Sequence, residues 1–511
     1  MIFNSILYQK TEESIKQEAL EAPVFFADLN LDQIIDAATT GKKEYHLKPF
    51  FYASLNNIDS ILYRHEIFRD LENSELFGNI RSFAQKMRAM REHHAQANKL
   101  YYKYQKESWF LDAVEIYCDA VNVLVHDLSL ANVKSRGFLA LREYVTKYAV
   151  SEHFTSLMAE TKKLKTDLAS VRYCVLIKTG SFTVRKCKSE TDYTAEVEAT
   201  FEKFKQGAVN DYRAKFTESA EMNHVEAKAL DFVAQLYPEI FLRLDDYRWR
   251  NIDYLDETIG VFDREIQFYV AWLEFVPLFK QAGLNFCYPR ISDTDKEVYD
   301  YEGFDLALAH RLIGEKSSIV WNDFYLKGKE RIFVVSGPNQ GGKTTFARGF
   351  GQLHYLACLG CPVPGREARL FLFDRLFTHF EKEETINNLR GKLQDDLVRV
   401  HDILSQSTPN SIIIMNEIFT STTLQDAVFL SEKVMEKIIK LGLLCVWVSF
   451  IEELASFSEQ TVSMVSTIVP ENPALRTFKI IRKRADGLAY AISIAEKYRL
   501  TYEHLKERIK S

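Results

Sequence analysis

Apolar residues recur every three or four positions through most of the first 285 residues of this chain, the spacing that lines one face of an α-helix. The pattern predicts helices over Ile80–Tyr104, Ser108–Leu128, Phe138–Lys163 and Asn223–Leu242. One stretch interrupts it. Val171 to Cys187 is β-branched and aromatic, with Thr179-Gly180-Ser181 at its centre, and predicts a β-hairpin. From about residue 286 the pattern changes again. Short apolar runs (Ile332–Ser336, Ser411–Met415, Leu444–Val448, Thr477–Arg482) alternate with helical segments at Lys343–Leu359, Gln394–Gln406 and Gln425–Leu441. This alternation predicts an α/β domain with a mostly parallel sheet, so the chain as a whole is expected to be α + α/β.

Composition narrows the classes. A chain of 511 residues exceeds one compact core and predicts about two to four domains. With 47% hydrophobic and 27% charged residues it is ordinary for a folded, soluble protein. The net charge of −6 carries no global sign of a nucleic-acid partner, so any basic footprint must be local. Between Val171 and Glu190 the bases Arg172, Lys178, Arg185, Lys186 and Lys188 face the single acid Glu190. Such a hairpin suits a phosphate backbone, and equally suits a solvated element whose lysines protect its edges. A second basic run, Arg81, Lys86, Arg88 and Arg91, predicts a solvated helix face.

The seven cysteines are scattered and odd in number, which predicts no disulfide framework and a reducing cytoplasm. Cys358-x-x-Cys361 lacks a second pair to complete a zinc site and is expected in the core or at a helix end. The first residues lack the basic flank and long apolar stretch of a secretory leader. Phe268–Phe279 is short and contains Glu274, so no membrane span is expected.

Chemistry concentrates where glycine clusters. Val334-Val335-Ser336 runs into Gly337-Pro338-Asn339-Gln340-Gly341-Gly342-Lys343-Thr344-Thr345 and then into a helical pattern. The spacing Gly337-x4-Gly342-Lys343-Thr344 fits a P-loop. Its backbone N–H groups cradle phosphates, its lysine reaches the β- and γ-phosphates, and its hydroxyl holds Mg²⁺. Downstream, the apolar strand from Ser411 ends in Asn416-Glu417, where a carboxyl end can deliver a metal ligand and a general base. Asn416 is neutral and a weaker Mg²⁺ ligand than aspartate. ATP and Mg²⁺ are the cofactors expected.

Gly337-Pro-Asn-Gln-Gly-Gly-Lys-Thr344 resembles the GPN-x-GGK-S/T phosphate loop of the MutS mismatch-repair ATPase family. Val320-Trp-Asn322 is similar to the segment that lies against adenine in that family, and Leu376-Phe-Thr378 resembles its I-F-T strand. Asn416 to Asp426 resembles D-E-x-G-R-G-T-S-T-x-D-G, and Asp486 to Ala495 resembles the family's serine- and tyrosine-containing ending. Upstream, Leu47–Leu55 and Leu62–Leu71 look like the start of its helical core, and the hairpin falls where the family places DNA-clamp strands. The resemblance implies an N-terminal segment 1–40, a helical core, lever and short clamp over 41–285 (hairpin about 171–188), and a P-loop (ABC-type) ATPase domain over 286–511. It also implies roles: Lys343 and Glu417 in catalysis, Thr344 and Asn416 at the metal, and Gly337 through Thr345 with Val320 and Asn322 around the nucleotide. Lys178, Arg185, Lys186 and Lys188 would contact DNA.

Departures qualify that implication. The family's mismatch-reading and connector domains are expected to be absent. Its T-H dipeptide appears as Ser449-Phe450, its metal aspartate as Asn416, its signature serine as Gly391 and a nearby glutamate as Asp396. The expected function is therefore a MutS-like ATP- and DNA-binding protein, a homodimeric clamp on duplex or branched DNA with slow hydrolysis. The alternative is a nucleotide-binding switch or scaffold with negligible ATPase activity that acts through a protein partner.

Overall fold

A computed structural model describes residues 3–9, 21–187, 200, 222–381, 391–469, 472–484 and 500–509. The chain forms two compact units that interleave along the sequence: Met1–Phe3, Asn73–Val133 and Leu139–Asp263 in one, and Asn4–Glu72, Lys134–Phe138 and Arg264–Ser511 in the other.

The first unit is built on two long helices, Ser74–Lys99 and Lys103–Leu130, which pack side by side across a three-residue turn. Asn73 caps the first by accepting from the N–H groups of Glu75 and Leu76. The helix buries Leu76, Ile80, Phe83, Met87 and Met90, which is the periodic stripe that predicted it. Two expected helices each divide in two. Phe138–Lys163 becomes Arg136–Ala149 and Glu152–Ala169, because Ser151 is extended and its hydroxyl accepts from Phe154 N to start a new helix. Asn223–Leu242 becomes His224–Leu236 and Pro238–Arg250, because Pro238 has no N–H to continue the first and begins the second. Three members of the basic run are ion-paired, Lys86 with Asp119, Arg88 with Glu92 and Arg91 with Asp263.

The hairpin forms as expected. Strands β1 (Tyr173–Lys178) and β2 (Ser181–Lys186) pair antiparallel across Thr179-Gly180, with Gly180 at φ 78°. Val184 joins Val233, Ala234 and Phe241 in a small core, and the Phe182 ring lies 6.0 Å from that of Phe232.

The second unit is mixed helix and sheet. After β3 (Phe286–Cys287), which pairs antiparallel with β8 (Val363–Pro364), a four-stranded sheet takes β4 (Arg290–Ser292), β5 (Val298–Gly303), β6 (Asn322–Leu326) and, later in the chain, β9 (Glu367–Phe371). A six-stranded sheet holds β7 (Ile332–Ser336), β10 (Leu376–His379), β11 (Ile412–Asn416), β12 (Leu444–Val448), β13 (Thr461–Val469) and β14 (Asn472–Arg482), in the order β10-β11-β12-β7-β13-β14. The pairings are parallel except β13 with β14. The central strands are buried throughout, which is why they read as unbroken apolar runs rather than alternating ones. Strand β13, which the sequence pattern did not predict, places β14 beside the glycine loop.

Helix Lys343–Cys358 is almost wholly buried. The chain near the N-terminus packs against it: Gln352 Nε2 donates to Leu29 O at 2.8 Å and Tyr355 OH to Phe51 O at 2.8 Å. Cys358 and Cys361 are both core residues. Among the described residues no helix is long and apolar enough to cross a membrane.

Candidate nucleotide site

Strand β7 ends at Ser336, the chain turns through Gly337–Gly342, and the next helix begins at Lys343. Three loop residues have left-handed backbone: Gly337 at φ 112°, Gln340 at φ 58° and Gly342 at φ 91°. Glycine is required for a second reason. A Cβ on Gly341 would stand 2.1 Å from Ser466 Oγ, and one on Gly337 would stand 2.9 Å from Ser466 O. Ser466 in turn donates to Gly341 O at 2.7 Å, so β13 clamps the loop. Arg476 of β14 donates from Nε to Asn339 O at 3.3 Å. Neither Ser466 nor Arg476 was foreseen, since each lies more than a hundred residues from the loop with no local signal.

Lys343 is nearly buried, with Nζ donating to Gly337 O at 2.9 Å and Asn339 Oδ1 at 3.2 Å, and standing 3.5 Å from Glu417 Oε1. Burial pushes its pKa down, and Glu417 opposes that shift. Thr344 donates from Oγ1 to Asn416 Oδ1 at 2.8 Å. Two oxygens thus sit side by side at the carboxyl end of β11, a donor set that fits a hard cation with oxygen ligands, though Asn416 adds no charge. Glu417 follows at φ 50°.

The other expected residues divide. Val320 and Asn322 border a cavity of about 30 Å³ together with Thr345. That volume suits a water molecule rather than a base. The Asn322 amide is engaged at both ends by β14, donating to Phe478 O at 3.2 Å and accepting from Ile480 N at 2.7 Å. Ser449 is buried and accepts from Ile451 N at 3.0 Å, while Phe450 is half exposed. Gly391 precedes helix Lys392–Gln406, and a Cβ there would meet nothing among the described residues. Asp396 does not face solvent; it is buried beneath the Glu417 turn.

On the hairpin, strand alternation puts Lys178 and Arg185 on one face and Lys186 on the other, where its Nζ lies 4.7 Å from the Tyr237 ring. Lys188 and the Asp486–Ala495 segment lie outside the described residues.

The class this geometry defines is a parallel-sheet α/β domain carrying a strand, glycine loop and helix at the carboxyl ends of its strands. Residues 333–507 match the family described as MutS domain V, and over that stretch the chain is similar to MutS proteins. It is 27% identical over 256 residues to the DNA mismatch repair protein MutS of Rickettsia felis, covering 50% of this chain and 28% of the relative. The protein of the same description from Orientia tsutsugamushi strain Boryong is 28% identical over 218 residues, 42% of this chain and 24% of the relative. That of Rickettsia bellii is 31% identical over 169 residues, 33% of this chain and 19% of the relative. The matches therefore span about a quarter of the length of these relatives.

Proposed function

We propose that this protein binds ATP with Mg²⁺ at Gly337–Thr345 and Asn416–Glu417, hydrolyses it slowly, and uses nucleotide state to govern a homodimeric, mismatch-repair-related clamp on duplex or branched DNA in the cytoplasm. The observation that carries this reading is the meeting of four side chains, Thr344 with Asn416 at 2.8 Å and Lys343 with Glu417 at 3.5 Å. The loop N–H groups and the helix N-terminus bind phosphate oxygens. Lys343 offsets charge that develops on the γ-phosphate, and Glu417 accepts a proton from the attacking water. Thr344 and Asn416 would hold Mg²⁺, which supplies charge neutralisation at the β- and γ-phosphate oxygens when bound. Val320 and Asn322 would border the adenine at the rim of their cavity. Lys178, Arg185, Lys186 and Lys188 would contact the DNA backbone by charge and shape, with no base readout.

Neutral Asn416 favours a second reading, a nucleotide-dependent switch that acts through a protein partner and barely hydrolyses ATP. Loss of one preorganised charge costs on the order of a hundredfold in rate. Single-turnover ATP hydrolysis by the wild type and by Glu417→Gln separates the two. The first reading predicts a wild-type rate clearly above the variant's, and equal background rates select the switch.

A further inference from the structure

The turn that presents Glu417 is built in a conformation its residues resist. Glu417 has φ 50° and Phe419 φ 60°, left-handed positions that cost a side-chain-bearing residue roughly 1–2 kcal/mol each. Such backbone persists only where the surroundings over-determine it. Three anchors do so here. Glu417 N donates to Val448 O at 2.9 Å, continuing the sheet beyond β11. Ile418 and Phe419 are buried in the core beneath β11 and β12. Phe419 N donates to Asp396 Oδ2 at 3.3 Å.

The third anchor is a carboxylate that the proposed chemistry does not otherwise use. Asp396 lies in the first turns of helix Lys392–Gln406 and is buried. Its second oxygen, Oδ1, stands 3.4 Å from Nε2 of His379. His379 is fully buried at the end of β10, where it pairs with Met415 of β11. Burial holds that imidazole neutral, with a pKa pushed down to about 4. Asp396 therefore lies beside the end of one strand and bonds to the backbone two residues beyond Glu417 on the next.

We propose that Asp396 is a positioning residue: by accepting from Phe419 N it fixes the turn that aims the Glu417 carboxylate at Lys343 and the glycine loop. Without that acceptor the Phe419 peptide can rotate toward an ordinary conformation, and Glu417 swings with it. Misplacing a reacting group by about 1 Å can cost on the order of a hundredfold in rate. The inference rests on the proposed hydrolysis for its kinetic consequence, and on backbone geometry alone for its structural one.

Two measurements on the full-length protein test it, with Asp396→Ala and Asp396→Asn as variants. The asparagine keeps an acceptor oxygen for Phe419 N, whereas alanine removes it. In single-turnover hydrolysis, Asp396→Ala should lose at least about tenfold in rate with ATP affinity unchanged within about twofold, and Asp396→Asn should recover most of the rate. In amide hydrogen exchange, Phe419 N–H should be protected in the wild type and in Asp396→Asn, and exposed in Asp396→Ala. A wild-type rate in Asp396→Ala overturns the proposal, as does a fall in affinity that matches the fall in rate. If the wild type proves no faster than Glu417→Gln, hydrolysis itself fails as a reading, and Phe419 exchange still decides the positioning role: unchanged protection in Asp396→Ala overturns it.

Discussion

In the glycine loop, each functional group is held by another part of the chain, whereas the basic side chains of the hairpin are exposed and its two strands form a sheet of their own. Lys343 answers to loop oxygens and Glu417, Thr344 to Asn416, and the loop itself to Ser466. Lys178 and Arg185 are exposed along one face of β1 and β2. A site that must stabilise charge benefits from fixed partners in a dry setting, and a surface that meets a polyanion needs only charge and reach. Substitutions should therefore damage stability and chemistry together in the first region, and in the second leave the fold alone.

The largest effect on stability is expected at Gly341. An added methyl meets Ser466 Oγ at 2.1 Å and Pro338 O at 2.9 Å, so Gly341→Ala should destabilise the second unit by about 1–3 kcal/mol and weaken nucleotide binding. Denaturant unfolding together with ATP titration reads both. An unaltered midpoint would show that the β13 clamp yields freely.

Acid should act on the same unit through His354, fully buried on the helix that follows the loop. Burial lowers its folded pKa from 6.5 to about 4. Below pH 6.5 the unfolded chain takes up a proton that the folded chain refuses until about pH 4, so this group's contribution to stability is lost as pH falls through that window. Relative to His354→Gln, the wild type should lose on the order of 1–2 kcal/mol between pH 7 and pH 5. Parallel pH–stability curves for the two proteins would refute it.

A carboxylate restored beside Thr344 should sharpen the contrast between a fixed site and a surface. Asn416→Asp is expected to lower the Mg²⁺ concentration needed for tight ATP binding by about tenfold, equivalent to about 1.4 kcal/mol. Titration of Mg²⁺ at fixed ATP measures it. No change would place the metal away from Asn416.

The smallest effect on the fold belongs to the hairpin. Lys178→Ala with Arg185→Ala should leave unfolding within about 0.5 kcal/mol of the wild type. DNA affinity should fall, and the slope of log affinity against log salt should shrink by about 2. A large loss of stability would break the comparison, and an unchanged salt slope would remove these two residues from any DNA surface.

What the sequence made legible follows the same division. Continuous apolar runs gave β7, β11 and β12 because strands buried on both faces are apolar throughout, and these runs are too short for a buried helix. Gly337 to Thr344 was readable because a tight glycine turn between strand and helix dictates residue type at fixed local spacing. The hairpin was readable from β-branched residues around Gly180. By contrast, Ser466 and Arg476 reach the site through β13 and β14 far along the chain, and nothing local marks them; Asp396 was marked only by the resemblance, which did not reveal its bond to Phe419 N. The helix breaks at Ser151 and Pro238 did carry local signals, a cap and a missing donor, which the apolar stripe on either side overrode. Val320 precedes β6 and Asn322 begins it, and the sequence could not reveal that the Asn322 amide is taken by β14.

If Gly337–Thr345 and the residues facing it form an ATP–Mg²⁺ site, equilibrium binding of ATP to the wild type and to Lys343→Ala, with and without Mg²⁺, will show it. The wild type should bind ATP in a Mg²⁺-dependent manner, and removal of the lysine should weaken binding by about a hundredfold, as expected for a buried charge-assisted contact. Equal affinity in the two proteins, or no ATP binding by the wild type, would contradict the account.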